Sequence, residues 1–531
     1  MQSEHRSCGG SHASEDTSRE YLMPIVKELL ATCAQERRFR ADDHVRVERQ
    51  DVLRAGAPSP GPGGWPAARL VIASSTPMPA VEKKVRARYY RRCDPREPVE
   101  EADDRYVAID ELAPGARGRD WIRGLATRIE LSDTPVCELF TGLPGSGKTT
   151  ELRRLVGLLA DPEGARMLPV LIDAEQVIDL YDTLDVPDVL MAIVAETERR
   201  VLQAESDTPR DLRKYSDPGR LWSWLIGAVG ELLGAEVSLP EIAGTSLGSK
   251  LVLDMKTRRA LRHRAREAVA DHMTTFLSHV HEALAELDRR ARAQGYVRLV
   301  VIFDSLEKLW GISSTWRDVL ESAERVFATR AAALHLPVHV VYTIPMCLIL
   351  RMALPVALLP MLRLHDRDGE RAAGFAAARE LVRRRVPDAV LDQFFGAESR
   401  EARVEELIAF SGGSPREVVR LLRDVVAEAE LSPGVFARIL ALVGDEYRRT
   451  VLGSAYPLLA RIAVEKQLPL EHDQREWIDP LLQNGLILAY ENGARWYDLH
   501  PAVSDIPGVA AAIRASTAVM RGAPPDSEQR G

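Results

Sequence analysis

The chain is poor in cysteine, lysine and aromatic residues, and it has no long uninterrupted hydrophobic run. Its 531 residues hold five cysteines, Cys8, Cys33, Cys93, Cys137 and Cys347, scattered and odd in number. None forms a C-x-x-C pair, which argues against a disulfide framework or a cysteine-held zinc site and fits a reducing cytoplasm. The most lipid-like stretch, residues 346–364, carries Arg351 and Arg363 and is broken by Pro355 and Pro360, which argues against a membrane span. The N-terminus is polar and lacks the apolar core of a signal peptide. There is no excess of positive charge: the formal net charge is -8, so nothing global points to nucleic acid. Lysine is scarce, nine residues against 61 arginines, a mark of GC-rich coding rather than of function. What remains is ordinary for a soluble globular protein: 46% hydrophobic and 28% charged residues. The length calls for roughly two to four domains.

Against that background one octamer stands out. Gly142-Leu143-Pro144-Gly145-Ser146-Gly147-Lys148-Thr149 fits the phosphate-loop pattern G-x-x-x-x-G-K-[ST] with no mismatch. An apolar segment, residues 136–140, reads as a buried strand before it. Residues 150–159 read as a helix after it, with apolar positions at helical spacing. Strand, glycine-rich turn and helix start form an anion cradle, in which backbone N–H groups point at phosphate and Lys148 adds a charge. The Thr149 hydroxyl is suited to Mg²⁺, and Thr150 continues the same helix turn. The pattern predicts nucleoside triphosphate binding.

The rest of the chain reads in segments. Residues 1–103 form an N-terminal region of unassigned role, polar at its start. It has a helical pattern over 20–37, a Gly/Pro-rich linker over 55–64 and a candidate strand over 67–73. Residues 83–96 are basic with Tyr89 and Tyr90 interleaved, a composition suited to single-stranded nucleic acid, although an acid-rich stretch follows and a solvated helix face is the favoured reading. From about 104 to 370, strands and helices alternate, which predicts an α/β fold with a parallel sheet covered on both faces. Candidate strands are 136–140, 168–173, 297–303, 338–343 and 361–365. A helical insertion spans about 186–295 and carries basic clusters around Lys256, Arg258, Arg259, Arg262, Arg264 and Arg266. Residues 371–445 read as a helical lid. Residues 446–510 read as helices and a hairpin turning at Asn492-Gly493, which suggests a winged helix, and 511–531 as a flexible tail.

Phosphate loops need a metal-holding acid on a neighbouring strand. Asp304 emerges at the carboxyl end of the apolar run 299–303, where ligands of open α/β sheets bind. It is the expected partner of Thr149 around Mg²⁺. Glu307, three residues on, is placed to polarise a water as general base. The next strand ends in Thr343, a hydroxyl suited to sensing the γ-phosphate. Ser411-Gly412-Gly413-Ser414-Pro415-Arg416 opens a helix, with proline favourable near its start, and holds Arg416 where a guanidinium can pair with phosphate oxygens.

Together these residues resemble the AAA+/STAND division of P-loop ATPases over about 104–505. Asp304-Ser305-Leu306-Glu307 resembles the D-G-L-D form of STAND signalling ATPases. Gly118-Arg119-Asp120 resembles the G-R-E/D box that contacts base and ribose in those families. Gly413-Ser414-Pro415-Arg416 resembles both the STAND G-x-P motif and the sensor-two arginine of origin-recognition ATPases. The resemblance implies an ATP- and Mg²⁺-dependent switch with slow turnover, in which Lys148, Glu307 and Arg416 act in hydrolysis. It implies homo-oligomers in the ATP state and a protein effector or sensor partner, in bacterial signalling or defence against phage. One departure is that the strand ending Thr343-Ile344-Pro345 lacks the arginine often found there; Arg351, on the next segment, is either a trans-acting finger or a surface residue. The alternatives are a DNA-dependent ATPase of origin-recognition or transposition-helper type and a nucleotide-binding scaffold without hydrolysis. The expected recognition segment of the winged helix, residues 474–482, has one arginine, two acids and an internal proline, which favours a protein-facing role over DNA reading. His500 reads as packing in the wing.

Overall fold

The structure is a computed structural model, described here for residues 80–207, 219–233, 247–309, 314–352, 355–469 and 474–520. The features expected within 1–79 and after 520 lie outside those residues. Five strands, β1 (Cys137–Thr141), β2 (Leu168–Asp173), β3 (Leu299–Asp304), β4 (His339–Thr343) and β5 (Val356–Leu358), make one sheet in the order β2-β3-β4-β1-β5. Every pairing in it is parallel.

Each strand alternates its side chains between two covered faces, which is why β3 and β4 read as continuous apolar runs. Phe140, Val300, Ile302 and Val341 face one layer. There they meet Leu152, Leu155 and Leu159 of the helix Lys148–Ala160 and Ile122, Leu125 and Ile129 of the helix Trp121–Glu130. Leu139, Val301, Phe303, Val340 and Tyr342 face the other layer. They meet Val189 and Ile193 of the helix Val186–Asp207 and Leu284 and Leu287 of the helix Met273–Ala293. The expected α/β core with helices on both faces is therefore present, and the helical insertion is one of its layers.

Four of the basic residues named in that insertion pair with acids of the same chain. Arg262 pairs with Asp179 and Asp182, Arg266 with Asp188, Arg259 with Asp182 and Arg258 with Asp254. Lys256 donates to the backbone carbonyls of Glu175 and Gln176. A cluster spent on ion pairs offers little net charge to phosphates.

The fifth strand is not where the sequence placed it. Residues 356–358 pair with β1, whereas 361–365 run on as an extended connector between domains. Its amides bond outward in succession: Met361 to the Ala489 carbonyl (2.9 Å), Leu362 to Gly413 (2.9 Å) and Arg363 to Ala116 (2.8 Å). An extended segment buried among several neighbours has the same apolar signature as a strand.

The lid comprises the helices Gly374–Arg385, Asp388–Phe395, Arg400–Phe410 and Pro415–Ala427. The helix Lys83–Arg92 joins it: Val81, Val85, Tyr89 and Cys93 pack into the lid core, and the Arg423 guanidinium lies 4.2 Å from the Tyr90 ring. Arg86 and Arg92 donate to carbonyls at the ends of lid helices, those of Ala427, Arg384 and Arg385. The boundary drawn at residue 103 thus falls inside a packed unit, and part of the 83–96 stretch is spent on the lid.

After the long helix Pro433–Thr450 come Tyr456–Glu465, Arg475–Gln483 and the antiparallel hairpin β6 (Ile487–Asn492) and β7 (Ala494–Leu499), as a winged helix requires. Gly493 turns the hairpin at φ +73°. Residues 511–520, expected as part of a flexible tail, continue the helix Pro507–Met520.

Candidate functional site

The sheet order brings the carboxyl ends of β1, β3 and β4 side by side. The register pairs Phe140 with Thr343 and Phe303 with Tyr342, so Thr141, Asp304 and Thr343 end at one edge. The phosphate loop leaves β1 at that edge. Gly145 and Gly147 adopt φ of +92° and +96°, values that glycine reaches without the steric cost of a Cβ. A Cβ at Gly142 would meet the Leu359 carbonyl at 2.7 Å, and one at Gly145 would meet Arg416 Cβ and Ser414 Oγ, both at 2.9 Å. Leu143 is buried in the apolar cluster of the winged helix, with Met346, Ile478 and Leu481. Pro144 is half-buried beside it.

Lys148 is buried at the helix start. Its Nζ donates to the carbonyls of Gly142 (2.8 Å) and Leu143 (3.2 Å) and lies 3.3 Å from Glu307 Oε1. Burial pulls its ammonium below the usual lysine range. Burial pushes the Glu307 carboxyl upward, but the Lys148 ammonium and the Thr343 hydroxyl outweigh it and hold the group low. At this separation the ionised pair is the state the geometry favours.

Asp304 stands beside this pair. Burial, reinforced by the Glu307 charge, pushes its carboxyl up to about 6, against a hydrogen bond from Thr149 and a backbone N–H from Ser305 (2.7 Å). Ser305 itself sits at φ +69°, a left-handed conformation uncommon for a residue with a side chain. That turn sends the chain back so that Glu307 returns to the loop. The Thr343 hydroxyl accepts from the Leu306 N–H (3.0 Å) and reaches the Phe303 carbonyl (3.2 Å). Thr343 thus braces the turn and Glu307 rather than standing free at the strand end.

The lid meets the loop directly. Ser414 caps the helix Pro415–Ala427 by accepting from the Glu417 N–H (3.3 Å). The Arg416 amide donates to the Gly145 carbonyl (3.2 Å). Its guanidinium is within electrostatic reach of Glu307. Loop, acid pair, strand-end hydroxyl and lid arginine therefore converge.

The other expected residues have these neighbours. Gly118, at φ +79°, lies under the backbone of Glu491, where a Cβ would come 2.8 Å from its carbonyl. Arg119 is exposed, stacks 3.6 Å over Trp121 and approaches Glu491 at 3.7 Å. Asp120 caps the helix Trp121–Glu130 and pairs with Arg154. The Thr150 hydroxyl accepts from the Val99 N–H (3.3 Å), on the outer side of the loop helix. Arg351 is clamped between Glu324 and the buried Asp479 of the winged helix. His500 is buried, stacks 4.1 Å from Tyr447 and accepts from the Ala502 N–H. The expected recognition helix faces inward, with Ile478, Leu481 and Leu482 buried and Gln483 donating to the Glu307 carbonyl (3.3 Å). Two residues at this site carried no sequence signal, Gln483 and Arg117; the latter donates to the Ser146 carbonyl (2.8 Å).

The residues present fit a nucleoside triphosphate with Mg²⁺. Ser146 Oγ and Glu307 Oε2 are buried without hydrogen-bond partners at the cradle, and Thr149 and Asp304 are adjacent oxygen donors of the hard kind Mg²⁺ takes. No helix is long and apolar enough to cross a membrane among the described residues, and none of their side-chain clusters forms a ready-made metal cage.

No family model matches the sequence, and no curated protein matches it. Solved structures similar to it include Drosophila ORC bound to DNA, at 12% identity and TM-score 0.31 over 83% of this chain and 95% of that one. Another is the Aeropyrum pernix ORC2 protein in ADPNP–ADP complexes, at 13% and 0.32 over 81% and 98%. A third is CDC6p from Pyrobaculum aerophilum, at 12% and 0.24 over 82% and 99%. Likeness at that level leaves activity, ligands and partners to be argued from this chain's own residues.

Proposed function

We propose that this chain is an ATP-operated switch of the AAA+/STAND kind, turning over slowly and controlling a partner protein in signalling or defence. The observation that carries the reading is the hydrogen bond from the Arg416 amide to the Gly145 carbonyl, because it makes the phosphate loop and the lid share one joint. Thr149 and Asp304 would hold the metal. A bound Mg²⁺ would neutralise charge between the outer phosphates. Lys148 exchanges its two carbonyl partners for phosphate oxygens. Glu307 accepts the proton of the attacking water, whose oxygen bonds the γ-phosphorus as the bond to the bridging oxygen breaks. Thr343 keeps that carboxylate in place. Arg416, on the lid, pairs with phosphate oxygens, so the closed lid is favoured by contacts that ADP offers less of.

The DNA-dependent reading has less support. The tyrosines and arginines of 83–96 partly serve the lid, most arginines of the insertion cluster are ion-paired, and the recognition helix turns toward Glu307. The test is calorimetric titration of the full chain with Mg-ATP and Mg-ADP, beside phosphate release with and without DNA. Different affinities and slow, DNA-independent release are expected. Identical binding of the two nucleotides would overturn the switch, and strong DNA stimulation would favour the alternative. Binding without any release would favour the scaffold.

A further inference from the structure

Arg117 is among the most deeply buried charged side chains of the protein, 1% exposed, and it has no place in the chemistry above. Its Nη1 bonds Glu151 Oε1 at 2.6 Å, and its Nη2 donates to the backbone carbonyl of Ser146 at 2.8 Å. Glu151 lies on the first turn of the loop helix and also approaches Arg154 (3.6 Å), which pairs with Asp120 (2.8 Å). The guanidinium therefore brackets the junction between loop and helix.

The Ser146 contact has a consequence on the opposite side of the peptide. A trans peptide is planar, so its carbonyl and the following N–H point in opposite directions. With the Ser146 carbonyl held inward by Arg117, the Gly147 N–H is aimed outward, toward the cradle. Gly147 has φ +96°, and a Cβ there would meet Arg117 Nη2 at 3.3 Å. Successive N–H groups aimed one way make an anion nest, and its strength depends on their being fixed beforehand. Arg117 reaches the carboxylate and the carbonyl through two different nitrogens of a planar guanidinium, a fixed spacing of donors that the single nitrogen of an ammonium does not reproduce.

We infer that Arg117 is a positioning residue that fixes the phosphate loop in its anion-binding conformation, an inference that rests on reading this site as a nucleotide site. Removing Arg117 alone strands Glu151 in the core, so the test uses Arg117→Met with Glu151→Gln, which removes both charges at similar volume. Arg117→Lys, which keeps the charge beside Glu151, is the second variant. Full-length proteins, checked as folded by circular dichroism and thermal melting, are titrated with Mg-ADP and with adenosine. In both variants ADP affinity is expected to fall about tenfold to a hundredfold, as for loss of a charge-assisted contact, with adenosine affinity within about twofold of wild type. A folded variant that binds ADP as wild type does, or that loses both ligands in proportion, overturns the positioning role. Wild type that binds no ADP overturns the nucleotide reading and this inference with it. Wild-type binding that is lost in Lys148→Ala keeps the nucleotide reading standing whatever Arg117 does.

Discussion

Replacing Gly413 with alanine isolates the joint between lid and core. Gly413 adopts φ +81°, and a Cβ built there lies 1.9 Å from the Leu362 carbonyl oxygen. An ordinary carbon–oxygen contact is about 3.3 Å, so the two backbones must part by roughly 1.4 Å. The oxygen belongs to main chain, so no side chain can turn aside. Moving apart also strains the bond from the Leu362 N–H to the Gly413 carbonyl, 2.9 Å long. Left-handed strain, overpacking and a weakened hydrogen bond together cost about 3–5 kcal/mol. Against a total stability of about 5–15 kcal/mol, and with the lid able to open as a unit, the expected result is a detached lid on an intact core. Hydrogen–deuterium exchange reads this directly. Peptides covering 361–364 and 411–423 should exchange faster while β3 stays protected, and ATP affinity should fall about tenfold with the loss of Arg416 from the site. Wild-type exchange at both peptides with an unchanged melting temperature would show that the Gly413–Leu362 contact does not hold the lid.

Ser305→Gly should raise the melting temperature by relieving a left-handed conformation worth about 1 kcal/mol, whereas Ser305→Val should lower it. Lys148→Ala should weaken Mg-ATP binding by about tenfold to a hundredfold in calorimetry while the circular dichroism spectrum is kept. Arg351→Ala should loosen the winged helix, seen as faster proteolysis and a lower melting temperature, with no selective loss of phosphate release; a stable protein that only stops hydrolysing would restore the arginine-finger role. Burial, aided by Arg420, pulls His500 down to about 3, so its stabilising contribution is complete above its unfolded value near 6.5 and is lost as pH falls toward 3. Melting temperature should therefore drop between pH 7 and pH 4, and less steeply in His500→Asn; parallel curves for the two proteins would count against it.

What could be read from the sequence was what is local. The phosphate loop is contiguous because backbone amides must surround one anion, and Asp304 follows a run that only a buried strand explains. The partners of those residues were harder to see. Arg117 and Arg119 flank Gly118 and look alike in sequence; which one turns inward is settled by the chain reversal at φ +79° and by Glu151, 34 residues away. Residues 361–365 matched a strand because burial writes the same apolar pattern whether amides bond one neighbouring strand or several domains. Arg259, Arg262 and Arg266 read as part of a basic cluster because their acids, at 179–188, lie about 80 residues upstream. Thr343 was placed correctly at a strand end, but its brace on Glu307 depends on the left-handed turn at Ser305, which serine does not advertise.

In the proposed switch the outer phosphate, through Gly145 and Arg416, sets the position of lid and winged helix. Hydrogen–deuterium exchange of the full chain saturated with Mg-ATP, compared with Mg-ADP, tests it most directly. Different protection is expected in residues 411–423 and in the hairpin 487–499, with the difference lost in Arg416→Ala. Equal protection in the two saturated complexes would contradict it.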